Sequence, residues 1–555
     1  MTPMKTFKPS PQQEVVFDWV RNGKGSLNLI AYAGTGKTTT LMEIAKIIKG
    51  SAFMGAFNKA IADEFVSRLK AQGSWHVKGG TMHSAGFAAW RGLAPGAKVE
   101  GGKMRVIAKG VTAAGLWDRK LVGAICETVS YAKQACLGVQ GQPGVGDEKA
   151  WKDIIDFYDM RDEIPGAITT EAFIQMCIKA YRASLEQCEK AIDFDDMLLA
   201  PLFFKAAFKK YEWVMIDEAQ DTNTARRLIA YAMMHEKTRM VAVGDPHQAI
   251  YGFAGATADA MDVIKRDLNS SELPLSVTYR CPVMIVEEAK TWVPKYEAHE
   301  SAPLGKVTTI KHTDLWEMAK KGQLTPDDVI LCRNTRPLVG VAGRLRELDI
   351  PCMVEGASTK GLIGLATKWD QDGDALGVDA FLEKLDAYQE VETARLREAG
   401  KEAKADSLED RCETLRDLCG YRSVKTTADL VNKIDFLFGD NSDRDILRLC
   451  TVHRSKGREW GRVFVVGMNR YMPSKWAKKD WELAQEDNLC YVAVTRAKVE
   501  LVKVAVPMRR KDGTEWWEGT FVNRAEDGEV TVYPNLPQLT EGVTELKQGE
   551  DGVWE

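Results

Sequence analysis

The segment from Leu27 to Leu41 (Leu-Asn-Leu-Ile-Ala-Tyr-Ala-Gly-Thr-Gly-Lys-Thr-Thr-Thr-Leu) limits the possible folds more than any other in the chain. Leu27, Leu29 and Ile30 read as a short buried strand that breaks at Gly34-Thr35-Gly36 and restarts as a helix from Lys37 to Ile48. This is the layout of a P-loop. Glycines let backbone N–H groups close around a triphosphate, and the new helix points its N-terminus at the anion. Lys37 is placed to reach the β- and γ-phosphates and Thr38 to hold Mg²⁺. The pattern G-x-x-x-x-G-K-[ST] is met except at its first position, where Ala31 stands.

A strand feeding such a loop needs further strands beside it, and the chain is long enough to supply them. At 555 residues it exceeds one core, and three or four domains are expected. No apolar run approaches a membrane span, and the first residues lack the apolar core of a signal peptide. The eleven cysteines are scattered without a C-x-x-C pair, which points to reduced thiols and to neither a zinc site nor an iron–sulfur cluster. With a net charge of −4, nucleic-acid binding would have to reside in a local groove.

Several segments carry matching chemistry. Gln12, opening a helix ahead of the P-loop, has the carboxamide that complements adenine N6 and N7, although a polar residue in a first helical turn reads the same way. The apolar run Ala52–Phe57 reads as a strand ending in Asn58-Lys59, at the strand edge where open α/β sheets bind ligands. An aromatic, an amide and a lysine suit stacking beside phosphate contact. Thr81-Met82-His83-Ser84 is similar, and either segment taken alone reads more readily as an ordinary loop. Trp213–Ile216 is a strand ending in Asp217-Glu218-Ala219-Gln220-Asp221. Adjacent carboxylates at a strand end need a cation, so Asp217 is assigned to Mg²⁺ and Glu218 to the attacking water. Met240–Val243 runs into Gly244-Asp245-Pro246-His247-Gln248-Ala249-Ile250-Tyr251-Gly252-Phe253. There Gln248 suits γ-phosphate sensing, and Tyr251 and Phe253 suit contact with bases. After a strand at Leu273–Val277, Tyr279 is placed to stack on adenine and Arg280 to reach the γ-phosphate.

In order, these segments resemble the superfamily 1 DNA helicases of the UvrD/Rep type. Thr451-Val452-His453-Arg454-Ser455-Lys456-Gly457-Arg458-Glu459-Trp460 is similar to that family's motif V, and the run from Glu486 to Lys498 is similar to its motif VI. The resemblance implies an α/β fold of two RecA-like P-loop domains with ATP and Mg²⁺ in the cleft between them. It places Ala33, Gly34, Thr35, Gly36, Lys37, Thr38 and Thr39 around the phosphates, Gly457 beside the nucleotide and Glu459 facing the ribose. Arg496 becomes an arginine finger from the second domain. Single-stranded DNA would be touched by Phe57, Asn58, Lys59, Thr81, His83, Tyr251, Phe253, Thr451 and His453.

The expected division is 1–86 and 193–280 for the first motor domain (1A) and 87–192 for a helical insertion (1B). Residues 281–361 and 444–507 form the second motor domain (2A), 362–443 a reduced 2B-like insertion, and 508–555 a small β-rich tail. The tail's Trp516-Trp517 either packs on the motor or binds a protein partner. The Gly244–Phe253 loop resembles the 3′→5′ branch, and the short second insertion resembles phage-like enzymes and the helicase part of F-box DNA helicases. In departure from the family, Phe253-Ala254 stands where Trp-Arg is usual, Ala56 where an aromatic is usual, and Thr278 where Asn is common. The expectation is a helicase acting on single-stranded and tailed duplex DNA, without membrane association. Its compartment would be the cytoplasm or nucleoid of a prokaryote or phage-infected cell, or a eukaryotic nucleus. A translocase that strips proteins from DNA and an ATP-gated binding module are the rival readings.

Overall fold

Short apolar runs alternating with amphipathic ones build two parallel sheets flanked by helices. The computed structural model describes residues 7–112, 119–158, 160, 164–165, 168–250, 259–355, 359–370, 374–398, 402–438, 446–474, 477, 479–509, 515–516, 522–524 and 530–532. The first sheet contains Leu27–Ala31 (β1), Ala52–Ala56 (β2), Val77–Thr81 (β3), Trp213–Ile216 (β4), Arg239–Gly244 (β5) and Ser271–Leu275 (β6). Their order is β3-β2-β4-β5-β1-β6, and every neighbouring pair is parallel.

Alternate residues along a strand serve opposite faces. Val214, Met240 and Ala242 join the core that continues into the first helical insertion. Met215, Val241 and Val243 pack with Val16, Phe17, Leu41 and Ile44 from the helices Pro11–Asn22 and Lys37–Ile47. With both faces covered, β1, β2, β4 and β5 are buried almost throughout, as parallel strands require.

The second sheet contains Lys306–Lys311 (β7), Val329–Cys332 (β8), Cys352–Glu355 (β9), Leu447–Thr451 (β10), Trp460–Val466 (β11) and Ala497–Ala505 (β12). Its order is β7-β12-β11-β8-β10-β9, again all parallel. Between β9 and β10 lie the helices Thr359–Ala366, Val378–Glu398, Glu402–Cys419 and Thr427–Phe438. Phe381, Leu385, Leu415 and Ile434 from them share one core with Phe464 and Val502 of the sheet, so this insertion is packed onto its domain. Two expected boundaries, after 86 and after 361, fall inside the helices Met82–Leu93 and Thr359–Ala366.

Beyond β12 the described residues form two antiparallel pairs, Met508–Arg509 with Glu515–Trp516 and Val522–Arg524 with Val530–Val532. Trp517 lies outside the described residues.

Parallel strands place the loops after β1, β2, β3, β4 and β5 along one edge of the first sheet, which is where chemistry collects in open α/β folds. A third core joins the two halves. Tyr32, Ala33 and Ile250 pack there with Val329, Leu331, Val463, Leu489 and Tyr491.

Candidate active site

The P-loop is fixed by two glycines and by neighbours from far along the chain. Gly34 has φ +70°, and a Cβ there would meet Arg280 Cβ and Thr278 Oγ1 at 2.5 Å. Gly36, at φ +88°, is the left-handed residue that starts the helix Lys37–Ile47. Such φ values are strained for any residue with a Cβ. The Gly34 carbonyl accepts the Tyr279 N–H at 2.9 Å. Ala33 is held at both backbone groups. Its N–H donates to the Tyr491 hydroxyl at 2.9 Å, and its carbonyl accepts the Tyr296 hydroxyl at 2.7 Å. Thr35 is buried with its hydroxyl on the Tyr32 carbonyl at 2.8 Å, whereas Thr38 and Thr39 are half-buried at the helix start.

β4 delivers the acidic turn beside this loop. Lys37 Nζ lies 3.5 Å from Glu218 Oε2. Glu218 itself has φ +51°, an unusual backbone for a residue with a side chain, of the kind held where surroundings demand it. Burial and the Glu218 charge push the Asp217 carboxyl above the usual range, with Lys37 opposing them. Burial disfavours ionised Glu218 as well, but Lys37 and Lys456 outweigh it and hold that carboxyl low. Buried Asp245, raised by desolvation, is also within the field of Lys37. Three carboxylates thus gather around one P-loop lysine, a charge balance that suits a divalent cation held by Asp217 and Thr38.

A chain of side-chain bonds carries this turn to the next loop. Gln220 donates to Glu218 at 2.6 Å and accepts the Asp245 N–H at 3.0 Å. Gln248 donates to Asp245 at 2.7 Å. The Tyr491 hydroxyl, while accepting from Ala33, donates to Asp245 at 3.3 Å.

The second half supplies cations. Lys456 reaches Asp221 Oδ2 at 2.6 Å and the Gln248 carbonyl at 2.5 Å. Asn488 donates to the carbonyls of Pro246 and Ala249 at 3.3 and 3.0 Å. Arg280 and Glu459, both expected at the nucleotide, form an ion pair with each other, and Lys498 lies 3.6 Å from the same glutamate. Gly457 is exposed at φ +83°.

Arg496 is buried, 1% exposed, on the Arg280 side of the P-loop. It donates to the Val492 carbonyl at 2.9 Å, the Arg458 carbonyl at 3.1 Å and Thr495 Oγ1 at 3.1 Å. Burial, followed by the neighbouring Arg280 charge, lowers its pKa to about 10, so it stays charged at neutral pH. Among the described residues it has no carboxylate partner. A buried cation held only by neutral acceptors is suited to an incoming anion.

Gln12, the candidate for adenine contact, is hydrogen-bonded to the segment after β6. Its Oε1 accepts the N–H groups of Ser276 and Val277 at 2.9 and 3.4 Å, and its Nε2 donates to Ser276 Oγ at 2.8 Å. Tyr279 is 51% exposed and lies beside His299, the ring centroids 4.7 Å apart.

Along the same sheet edge, Phe57 is half-buried and Asn58 and Lys59 are exposed, with Asn58 Oδ1 capping the following helix at Ile61 N (3.0 Å). Thr81 caps the helix Met82–Leu93 through Ser84 N at 3.1 Å. Burial, with Arg226 adding to it, lowers the His83 pKa to about 4. His453, in the short helix Val452–Ser455 after β10, is brought to about 3 by burial and the Arg333 and Lys456 charges. Both rings are neutral at physiological pH. Tyr251 and Phe253 lie outside the described residues.

Tyr491, Lys456 and Asn488 sit within segments already singled out by sequence but were assigned no role there. Tyr296 and Arg226 carry no local signal at all. Phe194, 63% exposed between buried Asp193 and Asp196, is a further aromatic that sequence reasoning passed over.

Residues 12–269 match the UvrD/REP helicase N-terminal domain and residues 380–505 the UvrD-like helicase C-terminal domain, together more than half of the chain. The chain is 24% identical over 548 residues to F-box DNA helicase protein 1 of Schizosaccharomyces pombe, covering 88% of this chain and 57% of that protein. It is 22% identical over 561 residues to ATP-dependent DNA helicase UvrD2 of Mycobacterium tuberculosis, covering 86% of this chain and 76% of that protein. ATP-dependent DNA helicase Rep of Escherichia coli is 29% identical over 122 residues, 20% of this chain and 18% of Rep. This chain therefore spans little more than half the length of the first of these relatives. By fold, motif order and sequence, it belongs to the UvrD/Rep-type superfamily 1 helicases.

Proposed function

We propose that the chain is an ATP-dependent translocase on single-stranded DNA that unwinds duplex with 3′→5′ polarity. The observation that carries this reading is the double grip on Ala33. Its N–H and carbonyl are held by Tyr491 and Tyr296, two residues of the second half, so any movement of that half is felt by the P-loop backbone. The links from Lys456 to Asp221 and from Asn488 to Pro246 and Ala249 extend the same coupling.

On this reading the four parts 1A, 1B, 2A and a reduced 2B are those of the sequence division. Mg²⁺, held by Thr38 and Asp217, would neutralise charge on the β- and γ-phosphate oxygens. Glu218 orients and deprotonates the attacking water. Lys37, Arg280 and Arg496 stabilise charge developing on the transferred group, and Gln248 senses its presence. Phe57, Lys59, His83, Thr451 and His453 form the DNA track, with His83 and His453 contacting it as neutral rings. Closing the cleft around nucleotide and reopening it after hydrolysis is the motor stroke.

The test is strand separation on duplexes carrying a 3′ or a 5′ single-stranded tail, with and without ATP. ATP-dependent unwinding of the 3′-tailed duplex alone is expected. Unwinding of the 5′-tailed duplex alone would refute the polarity. Separation of neither, with ATPase still stimulated by single strands, would favour a stripping translocase.

A further inference from the structure

We propose that Arg226 is a phosphate-binding residue of the DNA track and ties that track to the acidic turn of the nucleotide site; this rests on the DNA-translocase reading above. Arg226 lies in the first turn of the helix Thr224–Ala232, directly after the acidic turn, where the N-cap residue Asn223 accepts its backbone N–H at 3.0 Å. Its guanidinium reaches two functional loops. The Cζ sits 4.7 Å from the centre of the Phe57 ring, and Nη1 donates to the Asp221 carbonyl at 3.2 Å. It is also close enough to His83 to disfavour that ring's protonation. One cation thus stands among the turns after β2, β3 and β4.

The charge balance around it is unequal. Asp221 and Asp195 favour ionised Arg226 from a distance, against the cost of burial, but Asp221 gives its Oδ2 to Lys456 at 2.6 Å. Asp195 accepts the Ser130 hydroxyl at 2.6 Å and the Gln134 amide at 3.4 Å. Among the described residues no carboxylate lies within ion-pair distance of Arg226. A guanidinium carries five N–H donors, and among the described residues this half-buried one places a single hydrogen bond, on a neutral carbonyl. Taking such a cation partly out of water is unfavourable unless an anion meets it. The planar fork matches phosphate oxygens in pairs, and the Phe57 ring beside it adds a cation–π contact. A backbone phosphate beside a base stacked near Phe57 is the ligand this geometry fits. Tension on Arg226 then bears on the Asp221 backbone, and through the Asp221–Lys456 pair on the second half.

The experiment uses the full chain, a labelled oligothymidine and a salt series without nucleotide. Arg226→Gln is expected to weaken binding several-fold at low salt and to reduce the slope of log K against log [salt] by about 0.7, the value for one phosphate contact on a single strand. Arg226→Lys should keep the parent slope, and Phe57→Leu should weaken binding with the slope unchanged. If Arg226 merely braces Phe57 and the acidic turn, Arg226→Gln lowers affinity at an unchanged slope and Lys gives no rescue, which overturns the proposal. Parent-like binding by Arg226→Gln overturns it as well. Should Arg226→Gln fail to fold, a reduced slope in folded Arg226→Lys is the refuting result. Failure of the parent chain to bind oligothymidine at all would instead bring down the DNA reading, and this inference with it.

Discussion

Tyr491→Phe removes one oxygen from the centre of the site and leaves the ring packing in place. The ring stays edge-on to Tyr296, at 5.7 Å between centroids and 81° between planes. What is lost is the acceptor for the Ala33 N–H at 2.9 Å and the donor to Asp245 at 3.3 Å. A buried N–H left without a partner costs about 1–3 kcal/mol. The longer bond to the carboxylate adds toward the low end of its class. Tyr296 still holds the Ala33 carbonyl, so the P-loop keeps one of its two anchors. A net loss of about 2 kcal/mol corresponds to roughly 30-fold in a rate or equilibrium constant. If the P-loop must be held in this position during phosphoryl transfer, kcat/KM for ATP at saturating single-stranded DNA falls by up to that factor. Tyr296→Phe should cost less, because a carbonyl tolerates under-satisfaction better than an N–H. The double variant should lose less than the product of the two, since both hydroxyls act on one residue. The assay is steady-state ATP hydrolysis by the two single variants and the double. Values within twofold of the parent for all three would refute the idea that the second half positions the P-loop.

Other outcomes follow from the same geometry. Glu218→Gln should retain ATP binding and lose turnover by at least two orders of magnitude, since the group taken as general base would be gone; ATPase within tenfold of the parent would contradict that role. Gly34→Ala should abolish nucleotide binding in a titration, because the new Cβ would meet Arg280 and Thr278 at 2.5 Å in a backbone at φ +70°; parent-like affinity would exclude the steric argument. The His83 ring titrates near 4 in the fold, against 6.5 for the ordinary ring, through burial and the Arg226 charge. Between those values the unfolded chain binds a proton that the folded chain refuses. The stabilisation is therefore complete above pH 6.5 and is lost as pH falls toward 4, by about 3 kcal/mol at most. Denaturant midpoints compared at pH 7.5 and 5 should converge in His83→Gln relative to the parent, and an equal pH dependence in both chains would reject this.

What could be read from sequence alone is local chemistry. Gly34-Thr35-Gly36-Lys37 specifies its own turn through backbone conformation, and Trp213–Ile216 followed by Asp217-Glu218 announces a buried strand ending in charge that needs compensation. Neither depends on knowing the rest of the fold. The clamp on Ala33 was illegible because Tyr296 is 263 residues away and looks like any core tyrosine until the packing of the two halves sets its hydroxyl beside the loop. Gln12 shows the converse. Its residue type suits adenine, but nothing in the local sequence shows that Oε1 accepts the backbone N–H groups of Ser276 and Val277 and that Nε2 donates to the Ser276 hydroxyl. Arg226 carried no signal, since an arginine in the first turn of a helix is commonplace. Its meaning comes from β2, β4 and that helix meeting at one sheet edge.

On the proposed reading, nucleotide chemistry between the two halves is coupled to a single strand of DNA lying across them. ATP hydrolysis measured with Mg²⁺, with and without a single-stranded oligonucleotide, addresses it most directly. The rate should rise several-fold or more when the oligonucleotide is added, and the rise should vanish in Lys37→Ala. A steady rate that ignores DNA over the full titration would contradict it.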